Sequence, residues 1–183
     1  MFIETRGNDG HKPEKVAFSY AILNPSASFG GLYVPETLPK LGADFFDDAQ
    51  NKNYKEIAKT ILLKFKIDID TKVIDEALRL YDHFDEANDP VPLRQIEENL
   101  YINELYHGPT RAFKDMALQP FGYILSHVAQ KQKENYLILA ATSGDTGPAT
   151  LDTFANKSNI KVACLYPDGG TSDVQRLQMV TQE

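Results

Sequence analysis

The chain of 183 residues contains a single cysteine, Cys164, which excludes an internal disulfide and fits a reducing compartment. It also lacks any apolar run close to the roughly 20 residues that a membrane-spanning helix needs. Its first residues show neither the charged leader nor the apolar core of a signal peptide. These absences predict a cytoplasmic protein without a membrane segment.

Positive charge is scarce as well. The chain has 19 basic and 26 acidic residues, a formal net charge of -7 and no basic run, so it lacks the electrostatic footprint of a nucleic-acid binder. Its histidines have neither i, i+4 spacing nor cysteine partners, and the sequence therefore predicts no metal site. These are His11, His83, His107 and His127.

Residues 1–88 are predicted to form a small, mostly helical domain. Two stretches repeat apolar residues with helical period, one within 53–66 and one within 73–84, and both place charges on the opposite face. Leu32-Tyr33-Val34 is predicted to be a short strand, which Pro35 ends. Asn88, Asp89, Pro90 and Pro92 cluster after these helices, and we place the domain boundary between residues 88 and 89.

Residues 89–183 alternate apolar strands with amphipathic helices, which predicts βαβ units and a parallel sheet. Ser172 and Gln175 have the spacing of a capping box at the start of the last helix. The predicted strands are Leu100–Tyr106, Tyr136–Ala141 and Ile160–Tyr166, and the predicted helices include Ala117–Gln130 and Pro148–Phe154. The fold class is therefore α/β, with a helical domain followed by an incomplete parallel sheet.

About three strands are fewer than a doubly wound sheet has. We therefore expect the chain to be the first part of a longer protein. The last strand of such a sheet would leave an unpaired edge, which is a template for pairing with another chain. The sequence thus predicts self-association through the exposed sheet edge.

A helix start is predicted directly after the turn at Gly108-Pro109. Pro120 is tolerated only near the beginning of a helix, because deeper inside it removes a hydrogen bond and clashes. The helix should therefore begin near residues 115–117, with Asp115 as its N-cap. Lys114 would lie at this strand-to-helix junction, where open α/β sheets bind ligands.

Lys114 has two alternative interpretations from these residues alone. Most lysines are solvated surface residues. A catalytic lysine must be neutral to attack a carbonyl group, and apolar surroundings favour the neutral amine. The neighbouring Phe113 could contribute such surroundings or a face for a flat ring.

The segment Thr142-Ser143-Gly144-Asp145-Thr146-Gly147 joins a predicted strand to a helix. Pro148 suits the first helical position, which makes Gly147 the predicted N-cap. Backbone N–H groups and hydroxyls at a helix N-terminus form an anion site, here for a phosphate or a carboxylate, and the alternative is an ordinary turn. The Asp145 carboxylate would repel an anion, so it must point away or serve a structural role.

Both segments together resemble the motifs of threonine synthases. His107-Gly-Pro-Thr-x-Ala-Phe-Lys114-Asp115 is similar to the motif of the lysine that binds pyridoxal 5'-phosphate (PLP) in this family. The stretch from Ala141 to Pro148 is similar to the family's substrate-carboxylate loop. Phe29-Gly-Gly-Leu-Tyr-Val-Pro-Glu36, with Thr5-Arg6-Gly7, resembles the family's N-terminal helical domain.

The resemblance implies a fold type II PLP enzyme that converts O-phospho-L-homoserine and water to L-threonine and phosphate. Lys114 would hold PLP as a Schiff base and then move protons on the substrate, with Phe113 beside the cofactor. Thr142, Ser143, Gly144, Asp145 and Thr146 would bind the substrate carboxylate. The family's phosphate loop for PLP and the hydroxyl that faces its pyridine nitrogen lie beyond these 183 residues, so we expect the chain alone to be inactive.

Three other functions stay open at this point. One is another fold type II PLP enzyme, such as a β-replacement synthase or a dehydratase, against which the helical unit at 1–88 and the His-Gly-Pro-Thr stretch argue. The second is a non-catalytic relative that binds phosphorylated ligands, which would need no lysine at position 114. The third is a purely structural or interaction fragment.

Overall fold

The computed structural model describes residues 1–6, 15–27 and 30–182. Gly7, His11 and Phe29, which figure in the sequence predictions, lie outside these ranges. The chain divides into two compact units, Met1–Asp75 and Glu76–Glu183. The division falls within a helix, and the boundary between residues 88 and 89 stays a prediction.

The first unit combines a short antiparallel strand pair with helices. Strand β1 (Phe2–Glu4) pairs with β2 (Tyr33–Pro35), which includes part of the predicted strand at 32–34. The helices are α1 (Phe18–Leu23), α2 (Asp44–Ala49), α3 (Tyr54–Lys64) and α4 (Thr71–Leu78), the last of which runs on into a 3-10 turn at Arg79–His83. The prediction of a mostly helical N-terminal part is confirmed.

The two predicted amphipathic stretches differ in how deeply they are buried. The six apolar residues that repeat with helical period in the second stretch are all buried, with Ile74 at 0% exposure, and the others are Val73, Ala77, Leu78, Tyr81 and Phe84. The apolar residues of α3 are half-buried apart from the exposed Leu63, and none of its side chains is fully buried. Its start depends instead on a capping box, in which the side chains of Asn53 and Glu56 each accept the other's backbone N–H.

The second unit contains a parallel strand pair with helices, which confirms the α/β class. Strand β5 (Tyr136–Ala141) pairs with β6 (Ile160–Leu165) in parallel, from Tyr136 opposite Ile160 to Ala141 opposite Leu165. The helices are α5 (Asp115–Gln132), α6 (Thr146–Phe154) and α7 (Asp173–Val180). The core between them is formed by Ile124, Leu125, Val128, Ala129, Ala149, Phe154 and Met179.

The prediction of a third strand in the parallel sheet is wrong. Residues 100–103 form strand β4 (Leu100–Asn103), which pairs antiparallel with β3 (Leu93–Glu97) in a separate hairpin. Glu98 and Asn99 form the turn of this hairpin. Strand β5 is not buried along its length, because Leu137 and Leu139 are 64% and 60% exposed.

Pro120 lies inside α5 and leaves one helical carbonyl without its usual N–H donor. The helix begins at Asp115, as its position in the sequence predicted, so that Pro120 is the sixth helical residue. A proline has no N–H to donate to the carbonyl four residues earlier, which here belongs to Met116. The hydroxyl of Tyr81 donates to that carbonyl instead, at 2.5 Å, and it thereby replaces the missing helical hydrogen bond.

We expect Tyr81→Phe to lower the free energy of unfolding by about 1 kcal/mol, since one part-buried hydrogen bond is lost. Urea denaturation measures this difference. The matched control is Tyr20→Phe, at an exposed tyrosine of α1, which should stay within about 0.5 kcal/mol. In a Pro120→Ala background the restored N–H supplies Met116, so a Tyr81→Phe effect of undiminished size there would contradict this explanation.

Candidate active site

Lys114 is the residue at which α5 starts. It occupies the N-cap position, and its side chain makes no capping hydrogen bond. Its amine lies 4.3 Å from the centroid of the Phe113 ring, which is itself 58% exposed. Among the residues that the structure describes, the amine has no carboxylate within ion-pair distance. Lys114 is therefore half-buried at an open surface, with an aromatic ring beside it and no fixed ionic partner.

Asp115 fixes the loop that carries Lys114. The predicted N-cap role of Asp115 is wrong, because this residue is the first of the helix and its side chain is fully buried. Its carboxylate folds back and accepts hydrogen bonds from the backbone N–H of Thr110 at 2.8 Å and from its hydroxyl at 2.7 Å. Burial raises the pKa of Asp115. The Asp115 side chain thus closes the loop from Thr110 to Asp115, and this closure holds Lys114 in position.

Charged residues contact the segment before Lys114 at His107 and Arg111. His107 Nε2 lies 2.8 Å from Glu104 Oε2, and its ring stacks on Tyr106 with centroids 4.7 Å apart. Arg111, which adopts a positive φ of 62°, forms an ion pair with Asp85. The hydrogen bond from His107 lowers the pKa of Glu104, and the one from Arg111 lowers the pKa of Asp85.

The second predicted segment turns from β5 into α6. The predicted N-cap at Gly147 is wrong, because α6 begins at Thr146 and Asp145 is its N-cap, which places Pro148 in the third helical position. The Thr142 hydroxyl donates to the carbonyl of Gly144 and accepts from its N–H, both at 3.1 Å. These two predicted site residues therefore satisfy each other and shape the turn.

Five donors in this turn remain for a ligand. Three of these donors are the backbone N–H groups of Ser143, Asp145 and Thr146, and the other two are the hydroxyls of Ser143 and Thr146. None of the five donates to a protein acceptor within the described part of the chain. Ser143 is exposed and Thr146 is half-buried. These donors are at the N-terminus of a nine-residue helix, whose dipole favours an anion. We call residues 142–146 the donor turn.

Asp145 is held by α7. Its Oδ1 accepts a hydrogen bond of 2.6 Å from Gln175 Nε2. Gln175 also completes the predicted capping box with Ser172, which is confirmed. The expectation that Asp145 would serve a structural role thus agrees with Gln175 being the one hydrogen-bond partner of its side chain in the described residues.

Helix α7 brings the two predicted segments to one place. Gln178, one turn after Gln175, donates from Nε2 to the carbonyl of Thr110 at 3.1 Å. Residues three apart share a helix face, so one face of α7 binds both the loop before Lys114 and the donor turn. Gln178 was not predicted from the sequence, although its i, i+3 spacing from Gln175 was a signal.

Lys157 is a second lysine with unusual surroundings. Burial lowers the pKa of its amine. It comes three residues before β6, whereas the donor turn follows the end of β5. Because β5 and β6 are parallel and start in register, Lys157 lies at the amino-terminal end of the strand pair, whereas the donor turn lies at its carboxyl-terminal end.

The residues that the structure describes contain no helix long and apolar enough to cross a membrane. They also contain no group of three or more His, Cys, Asp or Glu side chains arranged to hold a metal ion.

Comparison with known proteins relates this chain to one family. Residues 1–80 match the family model described as "Threonine synthase N terminus". The threonine synthase of Pseudomonas aeruginosa is 37% identical over 98% of this chain, and that of Saccharomyces cerevisiae is 34% identical over 96%. The chain spans only 38% and 37% of the lengths of these two relatives.

Solved structures agree with this relationship. The crystal structure of PLP-bound threonine synthase from Brucella melitensis superposes with a TM-score of 0.88 at 34% identity and covers 97% of this chain. The yeast threonine synthase structure superposes with a TM-score of 0.86 at 32% identity and also covers 97%. This chain corresponds to 38% and 37% of those two chains.

Proposed function

Because the chain belongs to the threonine synthase family, we propose that it provides the lysine and the substrate-carboxylate turn of a PLP-dependent carbon-oxygen lyase. The reaction is the conversion of O-phospho-L-homoserine and water to L-threonine and phosphate. The observation that carries the proposal is the match to a PLP-bound threonine synthase over 97% of this chain. The activity is proposed for the whole protein, since this chain spans 38% of that relative's length.

Lys114 fits the role of the PLP lysine. Its amine has no carboxylate partner in the described residues and lies beside the exposed Phe113 ring, and its backbone belongs to a loop that the neighbouring Asp115 closes. We propose that the Lys114 amine would hold the cofactor through its aldehyde carbon, whose oxygen leaves as water, and that Phe113 would lie against the cofactor. PLP, when bound, would supply the electron sink for the reaction. The Lys114 amine would also be the base that moves protons at the α and β carbons of the substrate.

The donor turn fits the substrate carboxylate. Its N–H groups and hydroxyls supply several donors to one small anion, and the N-terminus of α6 adds a favourable dipole. A carboxylate held there is fixed relative to Lys114, because α7 contacts both segments through Gln175 and Gln178. This arrangement would orient the α carbon of the substrate toward the base.

The compartment and the assembly are further proposals. The cytoplasm is proposed because the substrate and the cofactor are phosphorylated small molecules and the single Cys164 forms no internal disulfide. Self-association through the sheet edge stays a prediction, whereas the exposed Leu137 and Leu139 side chains show that one face of β5 is uncovered.

The test is an assay of the full product of the gene, loaded with PLP and supplied with O-phospho-L-homoserine. Phosphate and L-threonine should appear in equal amounts. A dehydratase would instead release ammonia from L-threonine or L-serine, and a non-catalytic binder would release nothing. The 183-residue chain is assayed in parallel, and turnover by this chain at the rate of the full product would contradict its predicted inactivity.

Ser143→Ala and Thr146→Ala should each weaken substrate binding by about 1.5–3 kcal/mol, because each removes a hydrogen bond to a charged group. The affinity for PLP should change much less. Calorimetric titration with substrate and with PLP measures both. Ser158→Ala, at an exposed serine just before β6, is the matched control. A variant that keeps its substrate affinity and loses PLP would show that the turn binds the cofactor phosphate.

A further inference from the structure

The donor turn contains an acidic side chain at the place where an anion is proposed to bind. Asp145 is the N-cap of α6, between the free donors of Ser143 and Thr146. An exposed carboxylate within about 4 Å of a bound anion would weaken its binding by roughly fivefold even at the dielectric constant of bulk water, and by more at the lower effective dielectric constant near a protein surface. The contact that Asp145 makes therefore bears on whether the turn can accept an anion.

Gln175 makes that contact with a fixed amide orientation. Its Oε1 accepts from the backbone N–H of Ser172 at 3.3 Å, which leaves Nε2 to donate to Asp145 at 2.6 Å. The capping box thus presents a donor, and not an acceptor, to the carboxylate. A Cβ at Gly144 would lie 3.2 Å from the same Nε2, so the small residue there leaves room for the amide.

We propose that Gln175 is a positioning residue that holds the Asp145 carboxylate against α7, so that the donor turn accepts the substrate carboxylate. The inference rests on the proposed function of that turn. Gln175 touches neither substrate nor cofactor in this proposal and acts only through Asp145. Gln178 contributes to the same arrangement, because its hydrogen bond to the Thr110 carbonyl connects α7 to the loop before Lys114.

The test compares L-threonine with L-threoninamide, which lacks the carboxylate, as ligands of the PLP-loaded full gene product. Gln175→Ala should weaken L-threonine binding about tenfold, because the Asp145 carboxylate is then free to approach the ligand. L-threoninamide binding should change by less than about twofold on the same argument. Asp145→Asn should tighten L-threonine binding, and the double variant should bind L-threonine more tightly than Gln175→Ala alone.

Ser172→Ala separates positioning from structure. It removes the hydroxyl that caps α7 but leaves the Gln175 amide next to Asp145. It should lower the melting temperature, as Gln175→Ala does through the same capping box, while its affinity for L-threonine stays within about twofold because the charge arrangement persists. A structural effect alone would make Ser172→Ala and Gln175→Ala alike in both measurements.

The results that would overturn the role of Gln175 differ from the result that would overturn the carboxylate role of the donor turn. If Gln175→Ala weakens L-threonine binding equally with Asp and with Asn at position 145, Gln175 does not act through the Asp145 charge and the inference is wrong. Loss of binding in Asp145→Asn alone would likewise overturn it, since Asp145 would then be a ligand contact. If the unsubstituted protein does not distinguish L-threonine from L-threoninamide, the carboxylate role of the donor turn fails first.

Discussion

Borohydride reduction of the protein with bound PLP is expected to leave the pyridoxyl group on Lys114. The amine lies at the start of α5 beside the Phe113 ring, and the buried Asp115 carboxylate fixes the loop that carries it. Reduction makes the covalent bond permanent, and peptide mapping then identifies the lysine. Lys114→Ala should abolish both the label and threonine formation, because no other group replaces a covalently bound amine.

Lys157→Arg is the control for this experiment. Burial lowers the pKa of the Lys157 amine, so a larger share of it is neutral and able to attack an aldehyde at neutral pH. It is therefore the competing lysine that chemistry alone would favour. The label should persist in Lys157→Arg and vanish in Lys114→Arg. A label that follows Lys157 would show that reactivity, and not a built site, determines where PLP binds.

The positions of individual helices and strands were predicted from the sequence better than the pairing of the strands. Strand β5 has its predicted bounds, and the capping box of Ser172 and Gln175 is present. Hydrophobic period and capping residues are local signals, and local physics suffices to find such elements. The pairing of β4 with β3 was missed although only Glu98 and Asn99 separate the two strands, because this turn lacks the Asn-Gly or Asp-Gly signature of a tight hairpin.

The candidate site shows the same division between local and distant information. The motifs around Lys114 and the donor turn are contiguous in sequence, so the resemblance found both. The contact of Asp115 with Thr110 lies within the first motif, whereas Gln175 reaches Asp145 from 30 residues away. The predicted N-caps of α5 and α6 were both wrong. Asp115 has a buried partner in Thr110 that outweighs capping, and α6 starts two residues earlier than its proline suggested.

Gly108→Ala is expected to damage both stability and the position of Lys114. A Cβ at residue 108 would lie 2.5 Å from both Cβ and Oδ2 of Asp115, far inside van der Waals contact. Asp115 cannot move aside easily, because it is fully buried and its carboxylate accepts both hydrogen bonds from Thr110. Overpacking of this kind lowers the free energy of unfolding by about 1–3 kcal/mol.

The displacement caused by Gly108→Ala should reach Lys114, which precedes Asp115 in the chain. We therefore expect the yield of pyridoxyl label on Lys114 to fall at a denaturant concentration where the variant is still folded. Gly42→Ala is the matched control, since a Cβ there meets no atom within 4 Å, and it should leave stability within about 0.5 kcal/mol and the label unchanged. A Gly108→Ala protein with the stability and label of the unsubstituted chain would mean that the loop relaxes freely around Asp115. The closed loop would then not be what positions the lysine.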